Sequence, residues 1–449
     1  MTEAIPLPLD LPELDAELHG GTRLRRTILP SGVRILTESV PGAASASIGY
    51  WVPVGSRDEA AHQYGSTHFL EHLLFKGTAT RSALDIAQAF DRVGGDHNAA
   101  TAREHTVYHA KIRDVDLPMA IDVLSDMLCA SVIDRDEFET ERGVILEELA
   151  MADDDPVDVL WERFTEQVFP AHPLGRPIGG TPESINAATR DDVWAHYRAH
   201  YRPDELVVAI AGAVDHDRVV EQVERALRAG GWDLDAAAPP VARRSSVPGE
   251  LALPQTLLEI DRPLEQVNLI LGCRGLVAGD PDRHANGLLQ RILGGGMSSR
   301  LFQEIREQRG LAYSAHSFAG GHSDLGMVGM TAGCAPQKTA EVVRVMRAEL
   351  ERLLADGVTE AELADAKGAL AGGSALALED SETRMHRLGR SEIHLGELAD
   401  LEASLARVGA VTTDDVLRVG RRVFGGPLQA TTIGRLPEDA RALLEETAA

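Results

Sequence analysis

Two histidines and a glutamate stand within five consecutive residues, His68-Phe69-Leu70-Glu71-His72, in the run GSTHFLEHLLFKGT that starts at Gly65. On a helix, positions 68 and 72 lie one turn apart on one face, and position 71 adjoins both. Two imidazoles so placed can hold one Zn²⁺, with a carboxylate beside the metal's open position. The order H-x-x-E-H inverts the H-E-x-x-H zinc pattern. Glu71 is that carboxylate. Phe69, Leu70, Leu73, Leu74 and Phe75 are apolar and predict that the rest of this helix is buried. By itself an HxxEH pair also describes a solvated ionic face; the apolar flanks argue for a site.

A catalytic zinc takes three protein ligands and leaves one position for water. The acidic run Glu139–Ala150, ETERGVILEELA, supplies candidates for the third. Glu141 and Glu148 are two helical turns apart and share a face, so one can ligate while the other orients a ligand histidine. Spacing alone leaves Glu147 open as well. Val144, Ile145 and Leu149 are the expected packing face of this helix.

These helices must be positioned by something. Strand-like runs are expected at Val33–Val40 and Ser45–Val54, and a strand pair around Asn98–Ile112, where Thr106, Val107 and Tyr108 favour extended structure. Helices are expected from about Gly65 to Val93, over Pro118–Ala130, and over Asp136–Asp153 before Pro156. The chain also repeats itself. TRDDVWAHYRAHY at 189–201 matches TTDDVLRVGRRVF at 412–424, each followed by a β-rich run, Leu206–Ala211 and Ala430–Ile433. DEFETERGVI at 136–145 matches TEAELADAKG at 359–368 at the same offset. Two matches in one order imply duplication. The expected organisation is an N-terminal tail at 1–20, a metal-binding domain at 21–233, a linker at 234–249 and a second domain of the same plan at 250–449.

With 449 residues, 44% hydrophobic and 25% charged, the chain has the composition of a globular protein of two or more domains. A formal charge of −26 argues against a nucleic-acid partner and favours cationic ones, such as basic peptides, while also keeping the protein soluble. Cys129, Cys273 and Cys334 are far apart and form no CxxC pair, as expected of buried free thiols in a reducing compartment. The N-terminus lacks the basic and apolar regions of a secretory signal, and no run reaches the length of a membrane span. A cytoplasmic location and no membrane partner are expected.

The residues resemble the M16 family of metallopeptidases, the group of mitochondrial processing peptidase, pitrilysin and insulin-degrading enzyme. The likeness runs from Gly55-Ser56-Arg57-Asp58-Glu59 through HFLEH and EHLLFKGT to NAATAREHTVYHAKI (98–112), ERGVILEEL (141–149) and GGGMSSRLFQEIREQRGLAYS (294–314). It implies an α+β fold of two homologous domains, each a mostly antiparallel sheet with helices on one face, forming half of a clamshell. It selects Glu148 as third ligand beside His68 and His72, and gives Glu141 the orienting role and Glu71 that of general base. Asn98 and Ala99 match positions where the family pairs with substrate backbone as an added edge strand. Arg306 and Tyr313 match an arginine–tyrosine pair that acts on the substrate carbonyl and the developing oxyanion. On the residues alone, Asn98 reads equally as a turn ending a strand, Arg306 as helix surface before Gly310, and Tyr313 as the start of a buried strand. The resemblance further implies one zinc per chain, extended or unfolded peptide substrates, and a homodimeric chamber, with pairing to a related chain as the other option. The competing expectation is a non-catalytic peptide-binding or structural subunit, whose relatives lose metal ligands that this chain retains.

Overall fold

The computed structural model describes residues 3–245, 251 and 257–448. The chain divides into two compact units, one of Met1–Ala150, Pro177–Arg243 and Ala375–Ala403, the other of Met151–Arg176, Arg244–Ser374 and Ser404–Ala449. In chain order the strands are β1 (Ile5–Pro6), β2 (Glu13–Glu17), β3 (Arg23–Ile28), β4 (Arg34–Ser39), β5 (Ser45–Val52), β6 (Asp96–Thr101), β7 (Thr106–Arg113), β8 (Val207–Gly212), β9 (Leu257–Ile260), β10 (Val267–Gly275), β11 (Ala312–Gly321), β12 (Gly326–Cys334), β13 (Glu397–Leu398) and β14 (Gln429–Ile433).

The first unit holds a seven-stranded sheet ordered β2-β3-β4-β8-β5-β7-β6, the second a five-stranded sheet ordered β11-β12-β10-β14-β9. Within the first, the segment β4-β8-β5-β7-β6 repeats the whole of the second. In each, one outer pair is parallel (β4 with β8, β9 with β14) and the remaining pairs are antiparallel. The strands buried on both faces, such as VVAIAG in β8 and QATTI in β14, are short apolar or β-branched runs, as such burial requires. The duplication expected from sequence is thus present in strand order and direction. It extends to the caps: Thr189 accepts from the Asp192 N–H and Thr412 from that of Asp415, at the starts of helices Arg190–His200 and Thr413–Phe424.

Three organisational expectations are corrected. The described residues of the expected 1–20 tail, 3–20, are not a loose tail. β1 pairs with β13 and β2 with β3, Leu7 is fully buried, and Arg26 donates to the carbonyls of Pro8 and Leu11. Of the prolines in this segment, Pro6 lies in the edge strand β1, while Pro8 and Pro12 lie outside strands. Nor does one cut in a linker separate the domains. Helix Pro156–Val168 packs on β14 and β10, whereas helix Ser381–Arg390 packs on β8, β5 and β4. Each unit therefore takes a helix from the other half of the sequence. Met385 and Leu388, fully buried, join Trp51 and Val107 in an apolar cluster of the first unit. Buried Glu392 fixes the same segment there through ion pairs with Arg26, Arg34 and Arg243. Finally, residues 234–243 of the expected 234–249 linker belong to the first unit. Leu234 is buried, and the Ala238 and Val241 N–H groups donate to the carbonyls of Pro30 and Asp204. Its residues 246–249 lie outside the described ones.

Pro156 ends nothing by itself. It is the first residue of the next helix, and Asp155 caps that helix by accepting from the Val157 and Asp158 N–H groups. The cysteines are free, with Cys273 and Cys334 buried and Cys129 half-buried. Among the described residues no helix is long and apolar enough to cross a membrane.

Candidate metal centre

The histidine helix spans Ser66–Leu74 and buries Phe69, Leu70, Leu73 and Leu74 completely, while Phe75 just beyond it is half-buried. Its N-terminus is held by Glu59, whose carboxylate accepts from the N–H groups of Gly65 (2.9 Å) and Thr67 (2.7 Å). A buried carboxylate there satisfies donors the helix cannot and complements its dipole. Gly65 enters the helix at φ 91°, and a Cβ would meet Ile185 at 2.6 Å. This is the structural reason for glutamate and glycine ahead of the histidines.

The glutamate helix spans Arg135–Asp154. Phe138 stacks on Phe69 of the histidine helix, with centroids 4.4 Å apart and planes 5° from parallel. Arg142 lies over the Phe138 ring and donates to the carbonyls of Ile185 and Ala188, so the register between the two helices is pinned. Ile145 is buried and Leu146 and Leu149 pack on the core, but Val144 is 46% exposed. The packing face is therefore rotated from the expected one, with Phe138 and Leu146 taking the place of Val144.

This register brings His68, His72 and Glu148 together as three potential ligands, their donor atoms all within 4.8 Å of one another. Glu148 Oε2 is 3.7 Å from His68 Nε2 and 3.5 Å from His72 Nε2. Tetrahedral Zn²⁺ at ordinary Zn–N and Zn–O lengths separates its ligand atoms by roughly 3.3 Å, so the donor set fits the ion. Glu141, nearly fully buried, meets His72 Nδ1 at 2.9 Å with one oxygen and Lys76 Nζ at 2.6 Å with the other. A proton on Nδ1 leaves the Nε2 lone pair of His72 facing Glu148. Burial and the adjoining His72 lower the His68 pKa, only partly opposed by Glu71 and Glu148, which favours the neutral imidazole that a metal requires. Glu147 is outside the cluster; Glu148 itself is half-open to solvent.

Glu71 accepts a hydrogen bond from Thr101 Oγ1, at the end of β6. Thr101 and Lys76 were not singled out from sequence, because each becomes relevant only through the fold. Asn98 and Ala99 lie inside β6 and not in a turn, and among the described residues β6 is the edge of its sheet, paired with β7 alone. Asn98 is exposed and Ala99 buried.

Arg306 and Tyr313 lie in the second unit. The Arg306 guanidinium stands 4.3 Å from the Tyr313 ring centroid and 4.8 Å from that of Phe302. Tyr313 does not start a buried strand. It is the extra residue of a β-bulge, since Ala312 pairs with Cys334 and Ser314 with the adjacent Gly333, and it is 77% exposed.

A duplicated α+β scaffold in which two histidines and a glutamate converge on a zinc-sized gap defines a protein of two related units with a candidate metal centre. Residues 34–182 match the family model described as insulinase (peptidase family M16), and residues 187–370 match that of the peptidase M16 inactive domain. The chain is 47% identical to an uncharacterized zinc protease of Streptomyces coelicolor, over 96% of this chain and 94% of that one. It is 45% identical to an uncharacterized zinc protease of Mycobacterium tuberculosis, over 94% of this chain and 96% of the relative. A crystal structure of a protease from Helicobacter pylori has the same fold, with a TM-score of 0.82 at 22% identity over 96% of this chain and all of the other. The chain belongs to peptidase family M16.

Proposed function

We propose that this protein is a zinc-dependent endopeptidase that cleaves short or unfolded peptides. The convergence of His68, His72 and Glu148 beside Glu71 carries the reading, and relatives named zinc proteases support it. When bound, one zinc ion in this centre supplies Lewis acidity that brings water toward neutral pKa and polarises a carbonyl. Glu71 takes the proton of the attacking water and delivers it to the leaving amine. Thr101 holds the Glu71 carboxylate in one orientation for both transfers. Glu141 keeps the His72 ring and tautomer fixed.

The open edge of β6 offers backbone groups to an extended peptide, which suits unfolded substrates with few side-chain demands. Asn98 and Ala99 belong to that edge. The acidic balance favours basic peptides, including leader-type segments. Arg306 and Tyr313 of a second copy complete the centre across a dimeric chamber, contributing donors to the oxyanion; a related chain in that place is the other arrangement. The setting is cytoplasmic. A purely structural subunit has no use for the full set of His68, Glu71, His72 and Glu148.

The variant Glu71→Gln tests this. It keeps the ligands and the Thr101 contact and removes only the base, so zinc content stays at the wild-type level while cleavage of a quenched basic peptide falls by a factor of about 10² or more. Turnover near wild type refutes the assignment.

A further inference from the structure

A second set of metal donors lies in the first unit, on the sheet face opposite the histidine helix. Tyr108 packs in the apolar cluster containing Phe69 and Leu70, whereas its neighbour Val107 packs with Trp51 and Met385 on the other side. His109, one residue beyond Tyr108, shares Val107's face by the alternation of a strand. Helix Ser381–Arg390 covers that face and presents Glu382 and His386, four residues apart and so on one side of it. Glu382 Oε1 is 3.2 Å from His109 Nδ1 and 3.8 Å from His386 Nε2. The ligand atoms of all three residues lie within 4.8 Å of one another.

Three observations make this more than a chance meeting of polar groups. Among the described residues no lysine or arginine forms an ion pair with Glu382, and nearby Lys111 is engaged by Asp380. The carboxylate therefore faces two imidazoles with no fixed positive charge between them. Second, the rings are held: His386 packs edge-on against Trp51 with centroids 5.3 Å apart, and against His109 at 5.3 Å. Third, the side chains are 15%, 30% and 35% exposed for His109, Glu382 and His386, so an ion has a path from solvent and a water can complete its coordination.

We propose that His109, Glu382 and His386 form a second site for a first-row divalent cation, zinc above all. The donor chemistry, two imidazoles and one carboxylate, suits zinc, cobalt and nickel and is too nitrogen-rich for calcium or magnesium. His109 comes from the first half of the sequence, and Glu382 and His386 from the helix the second half contributes to this unit. A bound ion ties that helix to the sheet, so its role is a structural clamp.

The experiment is zinc titration of the full, chelator-stripped chain, with bound metal counted after desalting. Wild type is expected to bind two equivalents, Glu382→Gln one, and the double variant His68→Ala/His72→Ala one. Adding Glu382→Gln to that double variant leaves none. Zinc also raises the melting temperature of the double variant, and this rise disappears with Glu382→Gln. The glutamine keeps the size and polarity of Glu382, and a metal-free melt matching that of the parent certifies the fold. Wild type binding a single equivalent that Glu382→Gln retains overturns the proposal, as does a double variant that binds none, or a second equivalent that survives both Glu382→Gln and His386→Gln. A histidine–carboxylate cluster held only by protons gives the first of these results.

Discussion

His72 Nδ1 lies 2.9 Å from Glu141 Oε2, and the same carboxylate reaches Lys76 Nζ at 2.6 Å with its other oxygen. Glu141 is thus held on one side by an ammonium and fixes, on the other, which nitrogen of His72 is left for a ligand. A ligand-orienting contact of this kind is worth about 10- to 100-fold in metal affinity. Glu141→Gln, which can offer an N–H where His72 needs an acceptor, is expected to weaken zinc binding by that range. Competition with a chromophoric chelator measures it; an unchanged affinity removes Glu141 from the centre's design.

Thr101 is the residue on which Glu71 leans. Thr101→Val keeps the β-branched shape and loses the hydroxyl, so the carboxylate is no longer held in one orientation. The expected outcome is a kcat lowered by about tenfold, with zinc content and KM near wild type, because small misplacement of a reacting group is costly. A rise in KM with kcat intact instead assigns Thr101 to substrate binding.

The Arg306–Tyr313 pair is tested by mixing chains. Glu71→Gln and Arg306→Ala are each expected to be nearly inactive. After subunit exchange the mixture should recover part of the activity, since each mixed dimer carries one intact composite centre. No recovery despite demonstrated exchange counts against donation in trans.

Buried histidines set an acid limit to stability. His196 is nearly fully buried beside Thr67, and burial together with His200 pushes its pKa down to about 3, far below the ordinary 6.5. A depressed histidine pKa means that the unfolded chain binds the proton first. The stabilisation is complete above pH 6.5 and is lost as pH falls from there toward 3. At about 1.4 kcal/mol per pKa unit the full effect is on the order of several kcal/mol. His196→Gln, which retains a partner for Thr67, is expected to lose less melting temperature than wild type between pH 7 and pH 5. Parallel curves contradict the assignment.

Much of the candidate metal centre was legible because its geometry is local. The i, i+4 spacing of His68 and His72 needs nothing but a helix, and the apolar positions between them predict one. The choice of Glu148 over Glu147 was not local. It depends on the rotation of a second helix, set by the Phe69–Phe138 stack and Arg142, and only the family likeness pointed to it beforehand. Thr101 escaped notice because strand register decides which hydroxyl reaches Glu71. The exchange of helices Pro156–Val168 and Ser381–Arg390 was hidden for a similar reason. Their apolar faces are legible in sequence, but nothing in the periodicity says which of two similar sheets each will cover. Tyr313 read as a core strand residue because a bulge, unlike a turn, carries no strong residue signature here.

The central claim is that His68, His72 and Glu148 hold a zinc ion on which peptide cleavage depends. Its most direct test compares metal content and cleavage of a quenched basic peptide in wild type and in His68→Ala/His72→Ala, before and after chelation. The account predicts that the double variant holds one zinc fewer per chain and is inactive, and that wild-type cleavage is lost on chelation and restored by zinc. Equal zinc in both proteins, or wild-type cleavage that survives complete removal of metal, contradicts it.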